Sequence, residues 1–135
     1  MSLPRIVVLI FGAVYLLVGV LGFVATTGSA PADMPSADGL LLGLFPVNLL
    51  HNIVHLLVGA VLLYGATNTP AALNVARGVG ILYLILGVVG IIAPDGFGLV
   101  PLGGTDVFLH FATAAVLLLV GFMSPSDDRD RVGVA

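Results

Sequence analysis

The chain has 135 residues, of which 59% are hydrophobic and 8% charged, and its mean hydropathy is +1.22. A soluble domain of this size cannot hide so much apolar surface, so the composition points to one compact integral membrane domain lodged in a lipid bilayer. There is no cysteine, which excludes disulfides, thiolate metal sites and thiol catalysis, and with a net charge of −3 and four scattered arginines as its basic residues the chain offers nucleic acid no footing.

The first apolar run, residues 5–25, is followed by three more at 47–66, 71–93 and 106–123. Each holds roughly 18–23 residues, which as helix matches a hydrocarbon core of about 30 Å. Backbone polar groups have no water partner at that depth, so runs this long and apolar are expected to be helices. The first run has the single basic residue and small-residue flank of a cleaved leader. It is longer than a leader's core, and it is the repeat partner of the third run, so it reads as a span.

The connection after the first span, 26–45, is the longest. Its Pro-, Ser- and Ala-rich first part reads as irregular. The short run 40–45 reads as an interfacial segment or a lead-in turn before Pro46. The connection 67–70 is so short that spans two and three must be antiparallel neighbours. The loop 94–105 looks like a shorter version of the first one. The tail 124–135 is polar and reads as a solvated end. Arg5, Arg77, Arg129 and Arg131 fall on the side of the N-terminus, whereas Asp33, Asp38, Asp95 and Asp106 fall on the other. The positive-inside rule then puts both termini in the cytoplasm of a multi-pass cell-membrane protein. Arg77 lies close enough to the inner surface to snorkel there.

The sequence repeats itself. Residues 43–63 fall on 98–118 at a shift of 55 with no gap, carrying Gly43 onto Gly98, Pro46 onto Pro101, His55 onto His110 and His51 onto Asp106. Upstream, at a shift of 68, Gly12, Tyr15, Gly19 and Gly22 fall on Gly80, Tyr83, Gly87 and Gly90. The expected fold is therefore all-α, a membrane four-helix bundle over residues 1–123. It would be built from two duplicated helical hairpins about a pseudo-two-fold axis along the membrane normal. The six glycines share helix faces and are expected to line helix–helix seams within the monomer, since small residues let backbones approach closely in lipid.

The chemistry is confined to a few side chains. His51 and His55 are i,i+4 on span two, and Asp106 and His110 are i,i+4 on span four, so each pair stands on one helical face. Repeat symmetry sets both pairs in the outer half of the bilayer, facing one axis. Three imidazole nitrogens and a carboxylate suit a transition-metal ion such as zinc or copper. Asn48, Asn52, Tyr15 and Tyr83 would then be the outer partners that orient the rings. His55 and His110 as symmetry mates could alternatively be axial ligands of haem, with Gly59, Ala112, Thr113 and Ala114 leaving room beside them. The outer side, however, offers aspartates and no cations to the propionates. The same residues also suit a hydrogen-bonded network that holds helices together without any ligand.

The run from Phe45 to His55, with Asn48, His51, Asn52 and His55 in an Asn-x-x-His-Asn-x-x-His signature, followed by Asp106-x-x-x-His110, resembles a family of small four-span prokaryotic membrane proteins of unknown function. The resemblance covers nearly the whole chain and implies the four-span topology. It carries no activity to transfer. Three function classes remain. One is a non-enzymatic membrane component, as a homo-oligomer or an accessory subunit of a larger membrane complex. The second is a metal- or haem-binding protein, and the third a membrane hydrolase with a metal-activated water. A transporter would need a polar path that the inner half lacks.

Overall fold

The computed structural model describes residues 1–26, 29–30 and 32–126. Four helices dominate: α1 (Leu3–Ala25), α2 (Leu49–Gly65), α3 (Thr69–Ile92) and α4 (Thr105–Met123). Between α1 and α2 lies an antiparallel hairpin of β1 (Gly39–Leu41) and β2 (Phe45–Val47), and a short 3-10 turn, Gly96–Gly98, precedes α4. Helices α1, α3 and α4 are long and apolar enough to cross a membrane.

Local chemistry fixes the helix ends. Pro4 and Pro70 sit in the first turns of α1 and α3, where a missing N–H removes no bond. Asn68 caps α3 by accepting from the Ala71 N–H at 2.9 Å, and Asn48 caps α2 by accepting from the His51 N–H at 2.7 Å. That second cap corrects the expected span 47–66. Residues 45–47 are extended, so α2 has 17 residues and reaches about 26 Å at about 1.5 Å per residue.

The run 40–45 is likewise not a lead-in turn. It folds back as the β-hairpin, in the register Gly39↔Val47 and Leu41↔Phe45. Leu42 and Gly43 turn the chain with φ of 55° and 71°, the left-handed values that a tight hairpin turn requires. The hairpin is tied down on both sides. Ser36 N–H donates to the Asp95 carboxylate at 2.7 Å, and the Thr105 hydroxyl donates to the Leu44 carbonyl. Leu41 and Val47 are buried beneath it.

The helices pack chiefly in two pairs, α1 with α2 and α3 with α4. Glycines line both seams. A Cβ on Gly12 would stand 2.9 Å from the Leu63 backbone nitrogen, and one on Gly19 would stand 3.1 Å from the Asn52 carbonyl oxygen. A Cβ on Gly22 would overlap the Asn52 amide. On the other seam, Gly80 faces Leu118, Gly87 faces Phe111, and Gly90 faces Val107 and the Leu102 carbonyl. Between the pairs, the half nearer the α2–α3 connection is apolar, with Val8, Leu62, Ala72, Ala76, Val79 and Leu117 in one buried cluster. Outward, Leu17, Leu57, Ile85 and Leu119 are each more than half exposed, one from each helix, as a surface facing hydrocarbon requires.

At the end opposite the hairpin, two arginines meet carbonyls that have no partner within their own helices. Arg5 Nε donates to the Ala66 carbonyl at 2.9 Å, and Arg77 Nε donates to the Gly121 carbonyl at 2.6 Å. The Arg77 guanidinium also lies 5.2 Å from the centre of the Phe122 ring. Of the polar tail, residues 127–135 lie outside the described residues.

Gly22→Ala should therefore lower stability in detergent by about 1–3 kcal/mol, because the neighbouring amide cannot move without opening the seam. Gly78→Ala is the matched comparison, since nothing lies within 4 Å of its Cβ position and alanine is the better helix former. Thermal unfolding should show a lower midpoint for the first and an unchanged or higher one for the second. Equal midpoints would contradict the close-packed seam.

Candidate functional site

The polar side chains converge just inside the capped end of the bundle. The Asn48 cap starts α2 so that His51 follows within its first turn and His55 one turn deeper. Gly104, with φ of 66°, turns the chain into α4 so that Asp106 is buried in its first turn and His110 lies a turn below. His51, Asp106 and His110 are all at most 5% exposed.

His51 is the centre of the constellation. Its Nε2 lies 3.0 Å from His55 Nε2 and 3.7 Å from Asp106 Oδ2. Rings pack around this contact. Tyr15 stacks on His55 with centroids 5.0 Å apart at 11°, and Tyr83 stands edge-on to His110 at 5.4 Å. The two tyrosines also meet each other edge-on at 5.4 Å. The Tyr15 hydroxyl is hydrogen-bonded to the Thr113 hydroxyl at 3.1 Å. Thr113, which reads in sequence only as a small residue beside His110, is thus a member of the site. Its position three residues after His110, on the same face of α4, is the signal that could have found it.

The two asparagines do other work than orienting rings. Asn48 is fully used: its Oδ1 caps α2, and its Nδ2 donates to the Ser36 carbonyl at 2.9 Å and to the Leu99 carbonyl at 2.8 Å. It fastens the two outer loops to the start of α2. Asn52 is 1% exposed and turns toward α1, where its amide packs against Gly22. Both therefore serve the scaffold around the histidines.

Two cavities flank the cluster. One, of about 310 Å³, lies between α1 and α4 and is lined in part by Tyr15, His55, Tyr83, Asp106 and His110. The other, of about 290 Å³, lies under the outer loops and is lined in part by His51, His55, Tyr83 and His110. His55, Tyr83 and His110 thus stand between the two. The Nδ1 atoms of all three histidines are buried without a hydrogen-bond partner. In a neutral His51–His55 pair one Nε2 donates and the other accepts. The donor ring then has a bare Nδ1 and the acceptor ring has an Nδ1–H.

Among the described residues, no group of three or more histidine and carboxylate side chains is arranged to hold a metal ion. Neither cavity has an arginine or lysine in its lining that could meet haem propionates. What the arrangement can do is exchange hydrogen bonds and close polar contacts among imidazoles, a carboxyl group and a hydroxyl across the helices.

No curated protein and no solved structure matches the chain. Residues 5–123, which carry all four helices and every residue of the cluster, match the family described as a domain of unknown function, DUF4383, and the chain belongs to that family.

Proposed function

We propose that the chain is a non-enzymatic component of the cell membrane, a scaffold or accessory subunit, in which the histidine cluster joins two duplicated hairpins. The carrying observation is where the polar contacts run. His51 on α2 faces Asp106 on α4, Tyr15 on α1 bonds Thr113 on α4, and Tyr15 meets Tyr83 on α3. Each crosses from the α1–α2 pair to the α3–α4 pair. In hydrocarbon an interhelical hydrogen bond such as Tyr15–Thr113 is worth roughly 0.5–2 kcal/mol, because the alternative is an unpaired polar group.

Duplication is supported by contacts that recur at the same shifts as the sequence. Gly12 against Leu63 becomes Gly80 against Leu118, Gly19 against Leu56 becomes Gly87 against Phe111, and Gly22 against Asn52 becomes Gly90 against Val107. Tyr15 beside His55 becomes Tyr83 beside His110. The positive φ of Leu42 and Gly43, 55° and 71°, becomes 60° and 78° at Phe97 and Gly98. A duplication of two spans keeps direction, so α2 crosses with the other three and both termini share the cytoplasmic side with Arg5 and Arg77.

A metal-binding role for His51, His55, Asp106 and His110, with zinc or copper, is the second reading. It rests on the unpartnered Nδ1 atoms.

A double-mutant cycle separates the two. Combining His51→Ala with Asp106→Ala should lower stability by less than the sum of the single losses, by about 0.5–2 kcal/mol, and elemental analysis of the wild type should find no stoichiometric metal. One metal per chain, lost in His55→Ala, would replace the joining role with the second reading. Because the chain has no cysteine, single cysteines at Ala30 and Ser126 report topology cleanly. An impermeant maleimide added to intact cells should label position 30 and spare position 126. The reverse pattern would overturn the orientation.

A further inference from the structure

The β-hairpin and the second loop each hold a bulky apolar residue where the backbone resists one. Leu42 has a φ of 55° and Phe97 a φ of 60°. Glycine or asparagine takes such a left-handed turn easily, whereas a large side chain costs free energy there. The two positions correspond at the repeat shift of 55, and a glycine follows each, Gly43 and Gly98. Neither side chain is used inside the protein: Leu42 is 77% exposed and Phe97 79%. Leu44 and Leu99, two residues on in each loop, are also more than half exposed.

The helix lengths say what surrounds these tips. At the opposite end Arg5 binds the Ala66 carbonyl and Arg77 the Gly121 carbonyl. A guanidinium is held at the edge of the hydrocarbon or beyond it, so those carbonyls mark where the core ends. From Ala66 back to the start of α2 at Leu49, and from Gly121 back to the start of α4 at Thr105, the helices rise about 26 and 24 Å. A hydrocarbon core of about 30 Å therefore runs about 4–6 Å past both helix starts, into the layer of the hairpin and the second loop. The lipid-facing surface is continuous up to that layer. Leu49 and Phe108 are exposed in the first turns of α2 and α4, and Ile92 is exposed at the end of α3.

We infer that both loop tips are immersed in the leaflet at that end, with Leu42 and Leu44 from the hairpin and Phe97 and Leu99 from the second loop seated among the acyl chains as a matched pair of anchors. Lipid surrounds the bundle and meets both copies of the feature alike, which a single protein partner docked on one loop would not. Residues 32–47 and 94–104 contain no lysine or arginine, so the anchoring is apolar and does not rest on phosphate charge. The inference rests on the helices crossing a bilayer and not on the joining role of the histidine cluster.

The chain has no cysteine, so single cysteines at Leu42, Leu44, Phe97 and Leu99 can each carry a nitroxide in the full-length protein. In phosphatidylcholine nanodiscs, power saturation compares collisions with oxygen, which concentrates in lipid, and with a water-soluble nickel complex. Leu57→Cys is the lipid standard and Ser126→Cys the aqueous one. The oxygen-to-nickel ratio at all four tip positions should exceed that of Ser126→Cys severalfold and stay below that of Leu57→Cys. Ratios equal to that of Ser126→Cys would put the tips in water and overturn the inference. Exclusion of both reagents would mean that protein covers them, and lipid contact in one loop alone would break the pair; either result would overturn it too. Each loop is read at two positions, so one variant that fails to fold does not decide the matter. The double variant Leu42→Asn with Phe97→Asn tests the native side chains, because asparagine accepts the turn but not the lipid. Labels at Leu44 and Leu99 should then shift toward the aqueous standard, and an unchanged ratio would contradict the anchoring.

Discussion

A polar group buried in hydrocarbon must find its partner within the protein, and this constraint organises the half of the molecule nearer the β-hairpin. The α1–α2 and α3–α4 seams close on glycine, and each carries one arginine–carbonyl bond at its end. Across the two pairs the situation differs. The half nearer the α2–α3 connection meets through the apolar cluster around Leu62 and Leu117, while the half nearer the β-hairpin meets through His51, Asp106, Tyr15, Thr113 and Tyr83. Apolar side chains gain little by leaving lipid for one another, so packing alone specifies an interface weakly there. A hydrogen-bonded cluster specifies it by geometry. Tyr15 and Thr113 are hydrogen-bonded across the pairs and His51 stands 3.7 Å from Asp106, and a slip of register would break both contacts.

The caps at the two ends serve that register. At the outer end Asn48 binds the start of α2 and the carbonyls of Ser36 and Leu99 at once, so both outer loops are referred to the helix that carries His51 and His55. The β-hairpin is held to α4 by Thr105, and the segment just before it is held to the second loop by Asp95. At the opposite end Arg5 and Arg77 each bind a carbonyl at the end of the neighbouring helix. The fold thus places its few charges and amides where helices start and stop, and keeps its titratable cluster one to two turns below the cap.

Much of this was legible in the sequence, for a physical reason. In lipid a helix must be long and apolar, a close seam needs small residues at fixed spacing, and ionisable residues are rare enough to stand out. The four helices, the two glycine faces and the grouping of His51, His55 and Asp106 follow from those rules. The β-hairpin did not, because residues 40–45 lack the alternation that marks a half-buried strand; Leu42 adopts a left-handed φ that its side chain gives no reason to expect. The jobs of Asn48 and Asn52 were hidden for a different reason. Helical spacing sets them near the histidines, but only the tertiary structure shows that one amide is used by loop carbonyls and the other by the seam at Gly22.

The central claim, that the polar cluster and not the apolar core fixes the outer half of the interface between the helix pairs, is tested most directly by spin-label distances. Labels at Leu50 and Phe108 report the outer ends of α2 and α4, and labels at Tyr64 and Met123 report the inner ends; all four positions are exposed. In the protein carrying His51→Ala, Asp106→Ala and Tyr15→Phe, the outer distance distribution should broaden while the inner one keeps its wild-type width. Outer and inner distributions both unchanged by removal of the cluster would contradict the account.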